Sequence, residues 1–412
     1  MRGQQLSIAH LEYLQGRPFI LDTQLTQLPL TSAPPALRRL DHIQGVGRSE
    51  KWSKPTVGQL TRLLDEELPI GLYKDKVPLA FLVSNGPGGI AIHLGVWSPQ
   101  HENTSTGVLE VRQNLVRSIL ASQYADVNHT LGDVNVRRLP LGGFALGTPT
   151  MKVVEPQEGA LPIDRLIRGL PDAHWAYLVL AEPVSEQSIS EVQLMVLNEL
   201  QRVQAIELEM QVPDSLARLY AQQLQVLLKT LTTGQAVGAW QTTVYLLGDT
   251  TSYYALAALW PSIFSGEQSV PEPVRVYDNL NIPELATHWA SPITPGMASP
   301  GLYRRPEKYR TLLTSTELAA YIHLPRLETS GFAIRRLPTY DPIPAPVVND
   351  HPVQQGNVIQ GTKITFVPYA VGLRSLMRHA CIFGVPGSGK TNSVVGLLKE
   401  LGALGVPFLV IE

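Results

Sequence analysis

Cysteine is almost missing from this chain: Cys381 is the only one in 412 residues. That excludes an internal disulfide and any cysteine-built metal cage, and it suits a reducing compartment. The ten histidines, scattered from His10 to His379, include no HxxxH or HExxH pair, so no structural metal is expected. Long apolar runs are lacking too. The best stretches, HWAYLVLAEP and GVPFLVIE, fall well short of the roughly 18 residues that a membrane helix needs. The opening MRGQQLSIAHLEYLQGRPFILD has one early Arg but neither a continuous apolar core nor a small-residue cleavage site, so no signal peptide is expected. Nor is there an excess of charge of either sign, since the formal net charge is −2 with 17% charged and 44% hydrophobic residues. This is ordinary globular usage, in which any contact with DNA must be local. The cytoplasm is the expected compartment. The length allows two or three domains of about 100 to 200 residues each.

Residues 1–155 read as a β-rich mixed domain. VPLAFLVSNGPGGIAIHLGVW sets two apolar, β-branched runs around a glycine cluster that tolerates positive φ, which predicts a hairpin. The GPGG cluster lacks a following Lys and helix, so it is not read as a phosphate loop. ENTSTGVLEVRQNLVRSILASQYADV then predicts a core-facing helix carrying Leu109, Leu115, Ile119 and Leu120.

Residues 160–290 read as a second, α+β domain. HWAYLVLAEPV predicts a buried strand. A long helix follows from a Ser/Glu start, with Ile189, Val192, Leu194, Val196, Leu197, Leu200 and Val203 as its apolar positions. DSLARLYAQQLQVLLKTL is a second helix, GAWQTTVYLLGD a strand, SYYALAALWPSIFSG a helix and EPVRVYDN a strand. That order fits an α/β sandwich of ferredoxin-like type. Residues 291–360 form a Pro-rich connector, because proline removes amide donors and blocks helix continuation. Inside it, TSTELAAYIHLPRLETSGF predicts one capped helix ended by Pro325. Arg304, Arg305, Lys308 and Arg310, with Arg335 and Arg336 further on, read as a solvated, flexible surface, although such a cluster is also what a phosphate-contacting patch needs. NVIQGTKITFVPYAVG is a strand pair leading into the last segment, residues 361–412.

That segment holds the motif with chemistry in it. Gly384, Gly389, Lys390 and Thr391 satisfy GxxxxGK[ST], with Pro386, Gly387 and Ser388 inside the loop and Asn392 after it. Gly387 and Gly389 let the backbone turn so that successive N–H groups converge on a phosphate. Lys390 places an ammonium against the β- and γ-phosphates and is the residue expected to be catalytic, while the Thr391 hydroxyl is the expected Mg²⁺ ligand. The helix that follows aims its N-terminal amides at the same anion. The flanks agree with the motif. HACIF predicts a strand entering the loop, Val394, Leu397, Leu398, Leu401 and Leu404 recur at helical spacing, and GVPFLVIE predicts a Gly stop and a second buried strand. Together these make a right-handed βαβ crossover, with Cys381 read as a small buried core residue.

On LRSLMRHACIFGVPGSGKTNS, GVPFLVIE and TSTELAAYIHLPRLETSGF the chain resembles the HerA/FtsK superfamily of P-loop motors, in particular bacterial ATP-binding proteins with a HerA-type central domain and the related conjugative type IV secretion ATPases. WAYLVLAEPVSEQSISEVQ is similar to their accessory α/β domain. The specific likeness covers about 40 residues, weaker likeness spans 170–380, and the first 150 residues carry none. The resemblance implies that residues 361–412 begin a RecA-like α/β domain, with Glu412 ending its second strand. It also implies ATP and Mg²⁺ as cofactors, a homo-oligomeric, hexameric ring, DNA or protein as the load, and a partner nuclease or effector in the phage-defence relatives.

No Walker B acid, sensor or arginine finger follows Glu412 in this sequence, so the chain is expected not to hydrolyse ATP efficiently alone. Two other readings stand beside the motor. A small-molecule kinase or GTPase would be favoured by a base-reading NKxD motif, which is absent. A non-enzymatic docking or assembly platform would use residues 1–380, with the P-loop a remnant.

Overall fold

The computed structural model describes residues 35–49, 60–99, 102, 104–124, 126–132, 139–151, 161–209, 215–267, 269–270, 272–278, 281–290, 310–337, 346–360 and 363–411. It divides into two compact units, Met1–Val46 with Lys54–Arg335 and Gly47–Ser53 with Arg336–Glu412. The larger unit takes, in chain order, β1 (Arg38–Ser49, its last residues in the smaller unit), α1 (Leu60–Lys74), β2 (Leu79–Gly86), β3 (Gly89–Trp97), α2 (Thr106–Gln123), β4 (Asp126–Leu131) and β5 (Leu141–Leu146). It continues with α3 (Pro162–Gly169), β6 (Trp175–Pro183), α4 (Glu186–Glu209), α5 (Ser215–Val237), β7 (Ala239–Gly248), α6 (Ser252–Phe264), β8 (Arg275–Asp278) and α7 (Ile282–His288). It ends with β9 (Thr311–Thr314), α8 (Ser315–Ala319) and β10 (Ala333–Leu337, its last two residues in the smaller unit).

One antiparallel sheet of ten strands organises this mixed α+β unit, in the order β10-β1-β3-β2-β6-β7-β5-β8, with β4 joined to β1 and β9 to β7. The expected boundary between residues 1–155 and 160–290 therefore has no counterpart in the sheet. β2 pairs with β6 along seven residues from Leu79↔Ala181 to Asn85↔Trp175, and β5 lies between β7 and β8. The reason is legible in β6 itself. Its Trp175–Ala181 run is apolar at every position and buried on both sides, so both strand edges and both faces need covering, and the first segment supplies part of that cover. The expected connector at 291–360 is likewise not only a connector, since Thr311–Thr314 forms β9 against β7.

Strand alternation sorts the side chains onto two faces. Phe81, Val83, Tyr177, Val179, Val244 and Leu246 lie in one core with Leu72, Leu109, Leu166, Leu256 and Leu318 from five helices. Ala80, Leu82, Leu178, Leu180, Tyr245 and Leu247 lie in the other, under Ile282, Leu285, Ala286 and Trp289. Trp260 centres an aromatic group in the first core, 4.3 Å from Phe264 and 5.4 Å from Tyr321 between ring centroids. The expected hairpin is β2–β3, closed by Pro87 and Gly88. Gly89 takes φ 87° there, and a Cβ on it would collide with Ser330, whose carbonyl accepts the Ile90 N–H at 2.8 Å.

α4 and α5 pack on each other through Ile189, Val196, Leu200, Val203, Tyr220, Leu224, Leu227 and Leu231. Leu194 and Leu197, expected among the inward positions of α4, are exposed instead, because they project about 160° and about 100° round the helix from Val196.

The smaller unit contains β11 (Pro352–Gln360), β12 (Lys363–Gly372), α9 (Leu373–Leu376) and α10 (Lys390–Ala403). β11 and β12 form the expected strand pair, an antiparallel ladder with irregularities between Gln354 and Gly356 and between Asn357 and Ile359. Val353 is its buried side chain.

Candidate functional site

The loop from Gly384 to Thr391 has the backbone that its sequence requires. Gly387 and Gly389 take left-handed φ of 81° and 85°, and a Cβ at either would meet nothing. These glycines are needed for conformation rather than space, since an L side chain at that φ costs about 1–2 kcal/mol. A Cβ at Gly384 would press on the Ser388 hydroxyl, which would have to turn away. The Ser388 N–H donates to the Val385 carbonyl at 3.1 Å, closing a tight turn around Pro386. Gly389 then caps α10, and Lys390 is the first residue of that helix.

The first-turn amides of a helix have no partners inside it, and here no acidic residue occupies that turn. Lys390 Nζ donates to the carbonyls of Gly384 at 2.8 Å and Val385 at 2.9 Å, so the ammonium lies folded back on the loop. Thr391 and Asn392 are exposed beside it. The groups at hand suit a polyphosphate: the first-turn amides of α10, one ammonium and one hydroxyl. Thr391 would hold a Mg²⁺ ion, whose remaining ligands a hard cation takes from phosphate oxygens and water.

At its far end α10 stops as expected. Gly405 takes φ 71°, its N–H donates to Gly402 and the Val406 N–H to Leu401 at 3.0 Å. The flanks differ from expectation. Residues 381–385 and 406–411 form no strand and belong to no sheet among the described residues. A strand exists through its ladder of hydrogen bonds, and no described residue offers either stretch one, so no RecA-like domain is formed in this unit. Phe383 is 90% and Ile411 85% exposed, and α10 has no buried residue, Val394 included. Cys381, expected in the core, is exposed for the same reason. Glu412 lies outside the described residues.

The His-Leu-Pro segment has a structural task. The predicted helix spans only Ser315–Ala319, begun by a capping box in which Thr314 and Glu317 bond each other's backbone N–H groups. His323 is buried, with Nε2 accepting the Ile163 N–H at 3.1 Å and Nδ1 facing the Ala319 carbonyl at 3.3 Å. The ring is thus neutral with its proton on Nδ1, and burial pushes its pKa down to about 3. Asp164 accepts the N–H groups of Leu161, Arg326 and Leu327 at 2.9, 3.0 and 3.1 Å. Burial raises its pKa, and these amides pull the other way. The two residues fasten the start of α3 to the 319–327 segment. Sequence reasoning had one signal for Asp164, its place three residues past Leu161 in a Pro-led helix start.

Of the expected basic cluster, Arg304, Arg305 and Lys308 lie outside the described residues, as does the side chain of Arg336. Arg310 is not on a solvated surface: it is largely buried in an ion pair with Glu182 at 3.1 Å. Arg335 is half exposed, 3.8 Å from Asp126. The structure brings the loop residues together and leaves these arginines in separate pairs. Among the described residues no helix is long and apolar enough to cross a membrane. No protein-family model matches the chain, and no curated protein matches it significantly.

Proposed function

We propose that the loop Gly384–Thr391 binds ATP with Mg²⁺, and that the chain is part of a HerA/FtsK-like motor ATPase of the cytoplasm. The observation that carries the reading is the left-handed pair Gly387 and Gly389 set directly before Lys390 at the start of a fourteen-residue helix. In this reading Lys390 leaves the carbonyls of Gly384 and Val385 for the β- and γ-phosphates, where it offsets charge as the phosphoryl group departs. Thr391 orients the ion. The bound ion supplies the charge neutralisation that phosphoryl transfer requires. Residues 381–385 and 406–411 become strands of a RecA-like sheet once neighbouring strands flank them, and the larger unit, with its ferredoxin-like run of elements after residue 160, is the accessory part. The motor works as a homo-oligomer, a hexamer by the resemblance, with DNA as the favoured load and a nuclease or effector as a further partner.

One observation favours a second reading, a docking or assembly platform with a vestigial loop: the larger unit has three hydrophobic cores, while among the described residues the loop's flanks pair with nothing. Light scattering separates the two. With ATP and Mg²⁺ the chain should gain mass by assembly, and Lys390→Ala should not. Equal masses for both proteins, with and without nucleotide, would favour the platform.

A further inference from the structure

The β11–β12 hairpin turns apolar side chains outward near its closed end. Ile359 and Ile364 stand opposite each other in the ladder, next to the closing pair Gln360↔Lys363, and they are 61% and 71% exposed. Beyond them the register breaks. Asn357 pairs with Pro368, so Thr365, Phe366 and Val367 on β12 face Val358 alone on β11. Thr365 holds that bulge, its hydroxyl donating to the Val358 carbonyl at 2.7 Å and accepting the Val367 N–H at 3.2 Å. A bulge re-aims the side chain it carries, and Phe366 stands clear of the protein at 102% exposure. An apolar group held outward on a formed ladder in this way marks an interaction surface.

The charge in the same stretch of chain decides the partner. Between Asp350 and Glu400 there is no Asp or Glu, while Lys363, Arg374, Arg378, Lys390 and Lys399 fall in that span. Asp350, at the border, is already engaged, accepting the N–H groups of His351 and Arg374 at 2.8 Å each. Arg374 and Arg378 are exposed, as is Met377 between them. A second copy of the chain would bring the same sign of charge to the contact and be repelled. A nucleic acid would satisfy the arginines, but its bases stack on aromatic rings, and Ile359, Ile364 and Met377 offer none. A partner that takes aliphatic side chains and cations together is a bilayer with anionic headgroups, negative at its surface and apolar beneath.

We infer that the closed end of the β11–β12 hairpin is a membrane-docking element. Ile359, Ile364 and Phe366 enter the headgroup region of an anionic bilayer, and Arg374 and Arg378 draw the unit to the lipid phosphates. Binding is peripheral and reversible, because three side chains bury far less apolar surface than a spanning helix does. It does not depend on the loop's taking nucleotide.

Co-sedimentation of the whole 412-residue chain with vesicles of phosphatidylcholine alone, and of phosphatidylcholine with phosphatidylglycerol, tests this. The anionic vesicles should carry down at least about tenfold more protein. Phe366→Ser, at a fully exposed position, should lower the partition at least about fivefold with the urea midpoint unchanged. Arg374→Gln with Arg378→Gln should lower it about tenfold on the anionic vesicles and leave the neutral ones unaffected. Equal sedimentation with both vesicles, none with either, or Phe366→Ser sedimenting like the wild type would overturn the inference. So would pelleting without vesicles that Phe366→Ser abolishes, which assigns the surface to a second copy. Retention of a single-stranded oligonucleotide that Phe366→Ser abolishes, in a protein that ignores both vesicles, would overturn it in favour of nucleic acid.

Discussion

His323 gives the structure a measurable dependence on pH. Its ring is buried and neutral, and its pKa falls from the usual 6.5 to about 3 because burial opposes the charged form. A histidine depressed on folding binds fewer protons in the folded state than in the unfolded one between those values. Its contribution is therefore intact above pH 6.5 and is lost progressively as the pH falls toward 3. Linkage over that window amounts to about 5 kcal/mol in full, and to about 2 kcal/mol between pH 7 and pH 5. Asp164 and Glu317 work in the opposite direction, since burial raises both, and stability from a raised carboxyl is lost as the pH rises through its folded value. A comparison with His323→Gln cancels those terms. Glutamine keeps a donor and an acceptor at the site but does not titrate. Urea unfolding of both proteins at pH 7, 6 and 5 should show the wild type losing about 2 kcal/mol more than the variant on acidification. A wild-type advantage that stays constant from pH 7 to pH 5 would refute a buried, neutral His323.

Asp164→Ala strands one buried and two part-buried N–H groups and should cost about 2–4 kcal/mol in the same assay, whereas Asp164→Asn, which keeps an acceptor, should cost less. Trp260→Ala, at the centre of the aromatic group, should cost about 3–5 kcal/mol, and Phe366→Ser, fully exposed on β12, should stay within about 0.5 kcal/mol. Gly389→Ala forces a side chain into left-handed backbone in an otherwise open position. It should weaken ATP binding at least about fivefold by calorimetry while global unfolding stays unchanged, the factor that about 1 kcal/mol of strain gives.

The elements with a strong local pattern were legible in the sequence: the hairpin around Pro87 and Gly88, the helices α2, α4, α5 and α6, and the loop glycines with the helix that follows them. Their signals are local, since a left-handed glycine or a 3.6-residue period needs no knowledge of the rest of the chain. What was not legible depends on distant partners. The single sheet joining residues 38–49 to 311–314 rests on pairings such as Leu79↔Ala181 and Ala145↔Val244, which no window of sequence displays. HACIF and GVPFLVI have strand-like composition but no ladder, because composition cannot supply a neighbour. Cys381 followed them to the surface. Arg310 reads as a solvated connector residue until the Glu182 carboxylate is placed beside it. His323 reads as part of a helix ending until the start of α3 is brought to its Nε2.

Titration of ATP and Mg²⁺ into the wild-type chain and into Lys390→Ala tests the nucleotide site most directly. The loop geometry predicts saturable one-to-one binding to the wild type and a loss of about tenfold or more in the variant, the magnitude of one charge-assisted contact to phosphate. Identical isotherms for the two proteins, or no binding to either, would contradict the reading of Gly384–Thr391 as a phosphate-binding loop.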